Sequence, residues 1–549
     1  MAKQYVMSQV PTLRRKRSRF DLSANVKTAI NVGDLVPFYC QEVIPGDSMK
    51  IDSTCVSRLT SSFFKPIMDN LFLDVYFFYV PSRILYDKFV NIFGENTQSA
   101  WANQTEPTVP MLSNQTVSEG TVADYLGLPI GKLGIKDEVS ILPFRAFALI
   151  YNEFFRDQNN VQPMHIQRGA LSSSEELNNL PWSPANYTGK LPKVSKMHDY
   201  FTSCLPAPQK GNAVDVALSG YLPVYPRADE VPVEFLENEP TRLYAMDGSP
   251  FVSGSHGLAM DVVNSGSLGG TLSAKQAGDP ATGNTSVNFS NLWADLNGAT
   301  PWTVNDLRLA FQTQRMLERD ARSGSRYTEY LQSAFGVSSG DARLQRPEFL
   351  GGHRSPISIT QVTQTAPQSG ESTPLADVAG YSHSMSRARA NKGFGEHGYV
   401  IGVCCIRQFH SYSQGIQRFW SRSKRTDFYD PVFANIGEQP VYRRELFAGA
   451  DGVFGYNEAW ADMRQRPSVI TGQMRPKATN SLALWHLGDN YANAPSLSQG
   501  FIEETPDYVN RAITVQSDKQ AQFILDFYVQ NIAIRELPIY SVPGLIDHN

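Results

Sequence analysis

Apolar positions along this chain cluster in runs of strand length. LFLDVYFFYV, Leu71 to Val80, is aromatic and β-branched, stops at Pro81 and predicts a buried strand. Tyr399 to Ile406 is a second run of strand length, and its adjacent Cys404 and Cys405 would point to opposite faces as two small buried side chains. Leu35 to Ile44 and Met49 to Leu59 flank the turn-forming PGDS of Pro45 to Ser48, which predicts an antiparallel pair. Near the C-terminus, Phe523, Leu525, Phe527 and Val529 alternate with Gln522, Asp526 and Gln530, the period of a strand with one wet face. Two segments carry helical signals instead. Pro143 to Arg156 has proline in its first turn, and Thr303 to Asp320 has Thr303 and Asp306 at capping-box spacing, with Leu307, Ala310, Phe311 and Leu317 as its buried stripe. The expected architecture has antiparallel strands towards both ends of the chain and large insertions between them.

Composition supports a folded protein rich in loops. At 549 residues, the usual ~150 residues per domain would allow three or four domains. Hydrophobic residues make up 41% and charged residues 19%, while 34 prolines and 40 glycines imply frequent turns. No apolar run approaches the ~18 residues that cross a bilayer, so no membrane insertion is expected. The opening MAKQYVMSQVPTLRRKR lacks the apolar core of a secretory signal. The five cysteines have no CxxC spacing, which argues against a disulfide framework or zinc site and fits a reducing compartment.

Charge changes the picture more. The formal net charge is only −4, yet the first twenty residues hold six cations and no acid. Five of them, Arg14, Arg15, Lys16, Arg17 and Arg19, form a basic N-terminal arm over 1–23, which Pro11 and Ser18 keep from a regular helix. Residues 211–290 are the opposite, with ten glycines, nine serines and nine acidic residues against three basic ones. Such segregation suits a wall with nucleic acid on one side. A second basic and aromatic stretch, Arg418 to Tyr429, contains Arg418, Trp420, Arg422, Lys424 and Arg425. It fits a subunit interface, where arginine and aromatics are enriched, or single-stranded nucleic acid, whose phosphates take cations and whose bases take rings.

Catalytic signals are weak. GVSSG, Gly336 to Gly340, matches the GxSxG elbow around Ser338, but helix-favouring RYTEYLQSAF precedes it where a strand is required, so a helix-ending loop is expected. GLPIGKL, Gly127 to Leu133, is one residue short of a phosphate loop and lacks the hydroxyl residue after Lys132. His353, His383, His397 and His410 show no metal-ligand spacing and are expected at surfaces or interfaces. Neither metal nor cofactor is indicated, and no enzyme activity is expected.

Four stretches carry a family resemblance: HDYFTSCLPAPQKG (His198 to Gly211), RDARSGSRYTEYLQSAFGVSSGDARLQRPEFLGG (Arg319 to Gly352), FGYNEAWADMRQRPSVITG (Phe454 to Gly472) and the terminal IYSVPGLIDHN. The chain resembles the major capsid proteins of gokushoviruses, small icosahedral single-stranded DNA phages of the Microviridae. The resemblance implies a mainly β fold, an eight-stranded antiparallel jelly roll of viral capsid type with long loop and helix insertions, over 24–549. It implies sixty copies in a T=1 icosahedral shell around a circular single-stranded DNA genome, with a small basic DNA-packaging protein and a pilot protein as partners. It places the protein in the virion, assembled in the bacterial host cytoplasm. Residues 211–290 would be the variable surface-exposed insertion that protrudes at the threefold axes and meets the host cell surface. A competing reading is a β-rich carbohydrate-binding or glycoside-active protein using Trp182, Trp293 and Trp302, though no carboxylate pair can be assigned to it. A soluble DNA-binding regulator fits poorly with a net charge of −4.

Overall fold

The computed structural model describes residues 16–95, 107–112, 116–132, 138–169, 191–212, 214, 304–324, 326–365 and 376–540, and the backbone of six short strands between 224 and 294. The chain divides into two compact units, Met1–Lys210 with Glu318–Asn549, and Gly211–Leu317.

Ten strands build the main sheets of the first unit: β1 Ser18–Asp21, β2 Ala24–Ile30, β3 Val36–Val43, β4 Ser48–Leu59, β5 Leu71–Pro81, β6 Glu348–Ile357, β7 Ile359–Thr363, β8 Val378–Gly393, β9 Gly398–Gln408 and β10 Phe523–Arg535. They form two antiparallel sheets. A six-stranded sheet runs β1–β10–β4–β8–β7 with β2 also on β10, and a four-stranded sheet runs β6–β5–β9–β3. β1 and β2 lie end to end along β10, Ser18 opposite Arg535 and Ile30 opposite Phe523, so they form one lane broken at Leu22 and Ser23.

The expected strands on either side of PGDS are present as β3 and β4, but they do not pair with each other. β3 pairs with β9, whereas β4 pairs with β8 and β10, so the turn carries the chain from one sheet to the other, with Gly46 at φ 90°. Burial explains the outcome. Val36, Pro37, Phe38 and Tyr39 are buried in succession, while β4 alternates, so a hairpin would have left half of β3 wet.

The main core lies between the sheets. Phe38 of β3 stacks on Phe527 of β10 at 3.9 Å and meets Phe77 of β5 edge-on at 5.7 Å, among Ile51, Val75, Val400, Cys404 and Leu525. The other face of the four-stranded sheet is buried too. There Phe78, Ile401, Val403 and Cys405 pack under helix α1, Leu142–Ile150, through Phe144 and Phe147. Cys404 and Cys405 thus enter opposite cores as expected, and burial pushes the Cys405 thiol up to about 12. α1 stops at Ile150 and continues as a wider turn over Tyr151–Phe155, rather than running as one helix to Arg156.

Two further expectations fail. Gln522, assigned to a wet face, is 1% exposed: its side chain accepts from the Val32 N–H at 3.0 Å and donates to the Pro506 carbonyl at 3.1 Å, closing the sandwich end. The helix expected at Thr303 to Asp320 is present as α2, Val304–Ser323, but Leu307 and Phe311 of its apolar stripe are exposed, and Ala310 and Leu317 only half-buried. Its proposed cap, Thr303, lies outside the described residues. α3, Tyr327–Phe335, ends on Gly336 in the left-handed conformation, so Ser338 follows a helix, as its context suggested.

In the second unit, 244–245, 285–288, 271–276 and 258–263 form a four-stranded antiparallel sheet, and 224–226 pairs with 292–294. The expected insertion 211–290 falls inside this unit's bounds.

Candidate nucleic-acid interface

The basic arm leads directly onto the six-stranded sheet. Arg14 and Arg15 lie outside the described residues; Lys16 and Arg17 are exposed, and Arg17 reaches Glu536, just past β10, at 3.3 Å. Arg19 is already within β1, opposite Ile534. After Asp21 the lane is re-seated on β10, where the Leu22 N–H donates to the Asn531 carbonyl at 2.8 Å and the Asn531 N–H donates to Ser23 Oγ at 3.2 Å. The arm is therefore extended where it is described, because β10 supplies its hydrogen-bond partners.

Alternation along β4, β8 and β10 gives this sheet one buried and one wet face. On the wet face, Arg19, Lys50, Asp52, Arg387, Arg389 and Gln530 line one open depression of about 750 Å³. Register sets the rows: Tyr528, Thr54 and Arg387 lie side by side on neighbouring strands, and Gln530, Asp52 and Arg389 form the next row. Asp52 is gripped from two sides, by Arg387 Nε at 2.7 Å on Oδ1 and by Arg389 Nε at 3.0 Å on Oδ2. The hydrogen bond from Arg387, with Arg389 beside it, holds the Asp52 carboxyl below its ordinary range, so the fork stays charged. Lys27 pairs with Asp526 at 3.0 Å on the same face. The exposed cations of these strands are Arg19, Lys27, Lys50, Arg58, Arg387 and Arg389, against the carboxylates of Asp21, Asp52 and Asp526. Exposed Tyr528 and Tyr381 stand among them.

Arg387 and Arg389 were not among the residues singled out from sequence. The signal was there: in SRARAN the arginines alternate with Ala388 and Ala390, which are buried. Alanine is too weakly apolar to mark a buried face by composition.

The stretch Arg418 to Tyr429 forms two short turns, Arg418–Ser421 and Arg425–Asp427. It does not present its cations as a set. Arg418 donates to the Pro440 carbonyl at 2.9 Å and approaches Glu445 at 3.8 Å, and Arg422 is paired with Asp462. Lys424 and Arg425 are exposed, as are Phe419, Phe428, Tyr429 and Trp420, the last of these 74% exposed.

Residues 8–545 match the family described as capsid protein (F protein). The chain is 38% identical to the capsid protein VP1 of Spiroplasma virus 4, over 96% of this chain and 95% of that protein. It is 36% identical to VP1 of Chlamydia phage 1, over 98% and 97% of the two chains, and 34% identical to VP1 of Bdellovibrio phage phiMH2K, over 98% of each. The chain belongs to the phage capsid protein family. It is a structural coat protein of the virion, and none of its helices, among the described residues, is long and apolar enough to cross a membrane.

One feature of this coat protein contradicts its sequence reading. His410, expected at a surface or interface, is 4% exposed and enclosed within its own chain just beyond β9. Its Nδ1 faces Asp489 Oδ1 at 2.9 Å and its Nε2 faces Glu504 Oε1 at 3.1 Å. Tyr491 donates to Asp489 at 2.6 Å, Tyr508 to Glu504, and Lys196 stands 3.8 Å from Asp489. Burial opposes charge on His410, but Asp489 and then Glu504 outweigh it and raise its pKa to about 9. The imidazolium ties 489 and 504 of the long insertion between β9 and β10 to the sandwich. Nothing near position 410 in sequence signals this, since both carboxylates come from far along the chain. Among the described residues no cluster of side chains suits a metal ion.

Proposed function

We propose that this coat protein assembles as sixty copies into a T=1 icosahedral shell around a circular single-stranded DNA genome. The observation that carries the reading is the family match over residues 8–545, with relatives of nearly equal length. The topology supports an eight-stranded jelly roll. With β1 and β2 counted as one lane and β7 as an edge addition, four lanes, β2–β10–β4–β8, face four, β3–β9–β5–β6, and the chain changes sheet at β2 to β3, β3 to β4, β4 to β5, β6 to β7, β8 to β9 and β9 to β10. The arm 1–23 lies on the inner side, where its cations neutralise DNA. The Gly/Ser-rich, net −6 segment 211–290 faces outward and meets the host cell surface. A small basic DNA-packaging protein and a pilot protein complete the particle.

Sedimentation and electron microscopy of purified particles test this. Closed shells holding nuclease-protected single-stranded DNA are expected. A chain that stays a small oligomer with every other virion component present would overturn the reading. Shortening 211–290 should keep the shells and abolish or redirect adsorption.

A further inference from the structure

We propose that the wet face of the six-stranded sheet is a binding platform for single-stranded DNA, in which Arg387 and Arg389 take phosphates and Tyr528 stacks on an unpaired base. This deepens the reading of a shell around a single-stranded genome, and rests on it.

Three observations carry the assignment. First, the two sheets differ in cover. The inner strands of the four-stranded sheet, β5 and β9, are buried on both faces by the chain itself, whereas the wet face of its partner carries Tyr528 at 48%, Ile524 at 46% and Met385 at 68% exposure beside the cations. Second, the cations are arranged in advance. Asp52 draws both guanidinium groups to one point, and a guanidinium has five N–H donors, so each arginine keeps donors free of the carboxylate for an incoming phosphate. Third, the surface continues the basic arm: Arg19 belongs at once to the N-terminal cluster and to the depression holding Arg387 and Arg389. A strand of nucleic acid neutralised by the arm is thereby delivered to the sheet.

The same chemistry selects the form of the ligand. Rows on a sheet recur every ~6.8 Å along the strands, and the Tyr528 ring stands in the same row as Arg387. A ring beside cations suits unpaired bases, whose faces are free; a duplex offers this surface only phosphates. Contacts to phosphates and to the faces of bases carry no sequence information, so binding through Arg387, Arg389 and Tyr528 is independent of sequence.

The test uses the full-length subunit and a fluorescent oligothymidylate of about 30 nucleotides, with a duplex of equal length as control, titrated over a range of salt. Arg387→Gln with Arg389→Gln should flatten the plot of log affinity against log salt by about 1.4, at about 0.7 per phosphate. Tyr528→Ala should weaken single-strand binding about tenfold without changing the slope or the duplex affinity, and Tyr528→Phe should restore it. All three side chains are exposed, so thermal melting should be unaltered. If Arg14, Arg15, Lys16 and Arg17 replaced by Gln flatten the slope while the sheet variants bind as the parent, the arm alone holds DNA: the platform is overturned and the genome reading survives. If the parent shows no salt-dependent single-strand binding, both fall. If the arginine pair's loss stops assembly but spares DNA binding, the face is a subunit contact and the platform is overturned.

Discussion

The two sheets of the sandwich each contain a carboxylate gripped by two arginines, and the pair is instructive because the surroundings differ. In the four-stranded sheet Asp74 is fully buried, with Arg354 Nε at 2.6 Å on one oxygen and Arg407 Nε at 3.0 Å on the other. On the other sheet Asp52 is held by Arg387 and Arg389, whose side chains are 54% and 67% exposed. One fork is centred on a carboxylate that its own chain encloses, and it serves the fold. Its counterpart faces water, where an ion pair adds little stability, so its arrangement is free to serve a ligand.

The largest test of this contrast concerns cover. Phe147→Ala in α1 should cost about 3–5 kcal/mol, because it opens a cavity over the second face of the four-stranded sheet, whereas Tyr528→Ala should stay within about 0.5 kcal/mol. Equal losses in chemical denaturation would mean that the wet face is not bare. Next, Asp74→Ala should destabilise by about 3 kcal/mol, since it strands two partly enclosed guanidinium groups.

His410 sharpens the same side of the comparison, and its sign can be worked out. Its pKa in the fold, about 9, lies above the ordinary 6.5, so its stabilisation is complete below pH 6.5 and disappears as pH rises through 9. Melting temperature should fall over that window in the parent and show a flatter profile in His410→Gln, which starts lower because two buried carboxylates lose their cation. A profile unchanged by the substitution would remove His410 from the structural role given to it. The smallest effect is expected at Asp52→Ala, under about 1 kcal/mol by melting. A larger loss would make the exposed fork structural after all.

How much of this could be read from the sequence depends on what each strand buries. β5, β9 and β10 announce themselves through Phe77, Val403 or Leu525, large apolar residues in a run or at period two. β8 does not, because its inward residues are Ser382, Ser386, Ala388 and Ala390, small enough to let β6 pack closely. Pairing was not legible either: PGDS marks a turn, but nothing local says whether a turn closes a hairpin or changes sheets. The site split along the same line. The arm's cations are contiguous and stood out, whereas the Asp52 fork joins residues 335 and 337 positions apart, and His410 meets carboxylates 79 and 94 positions away. Family resemblance supplied the function that these distances hid.

The position of β10 bears on how the chain is made. This strand, Phe523–Arg535, sits between β1 with β2 and β4, so the sheet is split until the chain has been made as far as residue 535. Arg17 and its partner Glu536 are 519 positions apart. During synthesis β1, β2 and β4 wait with unpaired edges, and closing so long a loop is slow. A chain truncated before Phe523 lacks the central strand of one sheet while keeping nearly all of the other, and should accumulate as aggregate. Only a copy that carries β10 can present the completed sheet, so the wet face and its row of cations exist only after residues more than 500 positions apart have met.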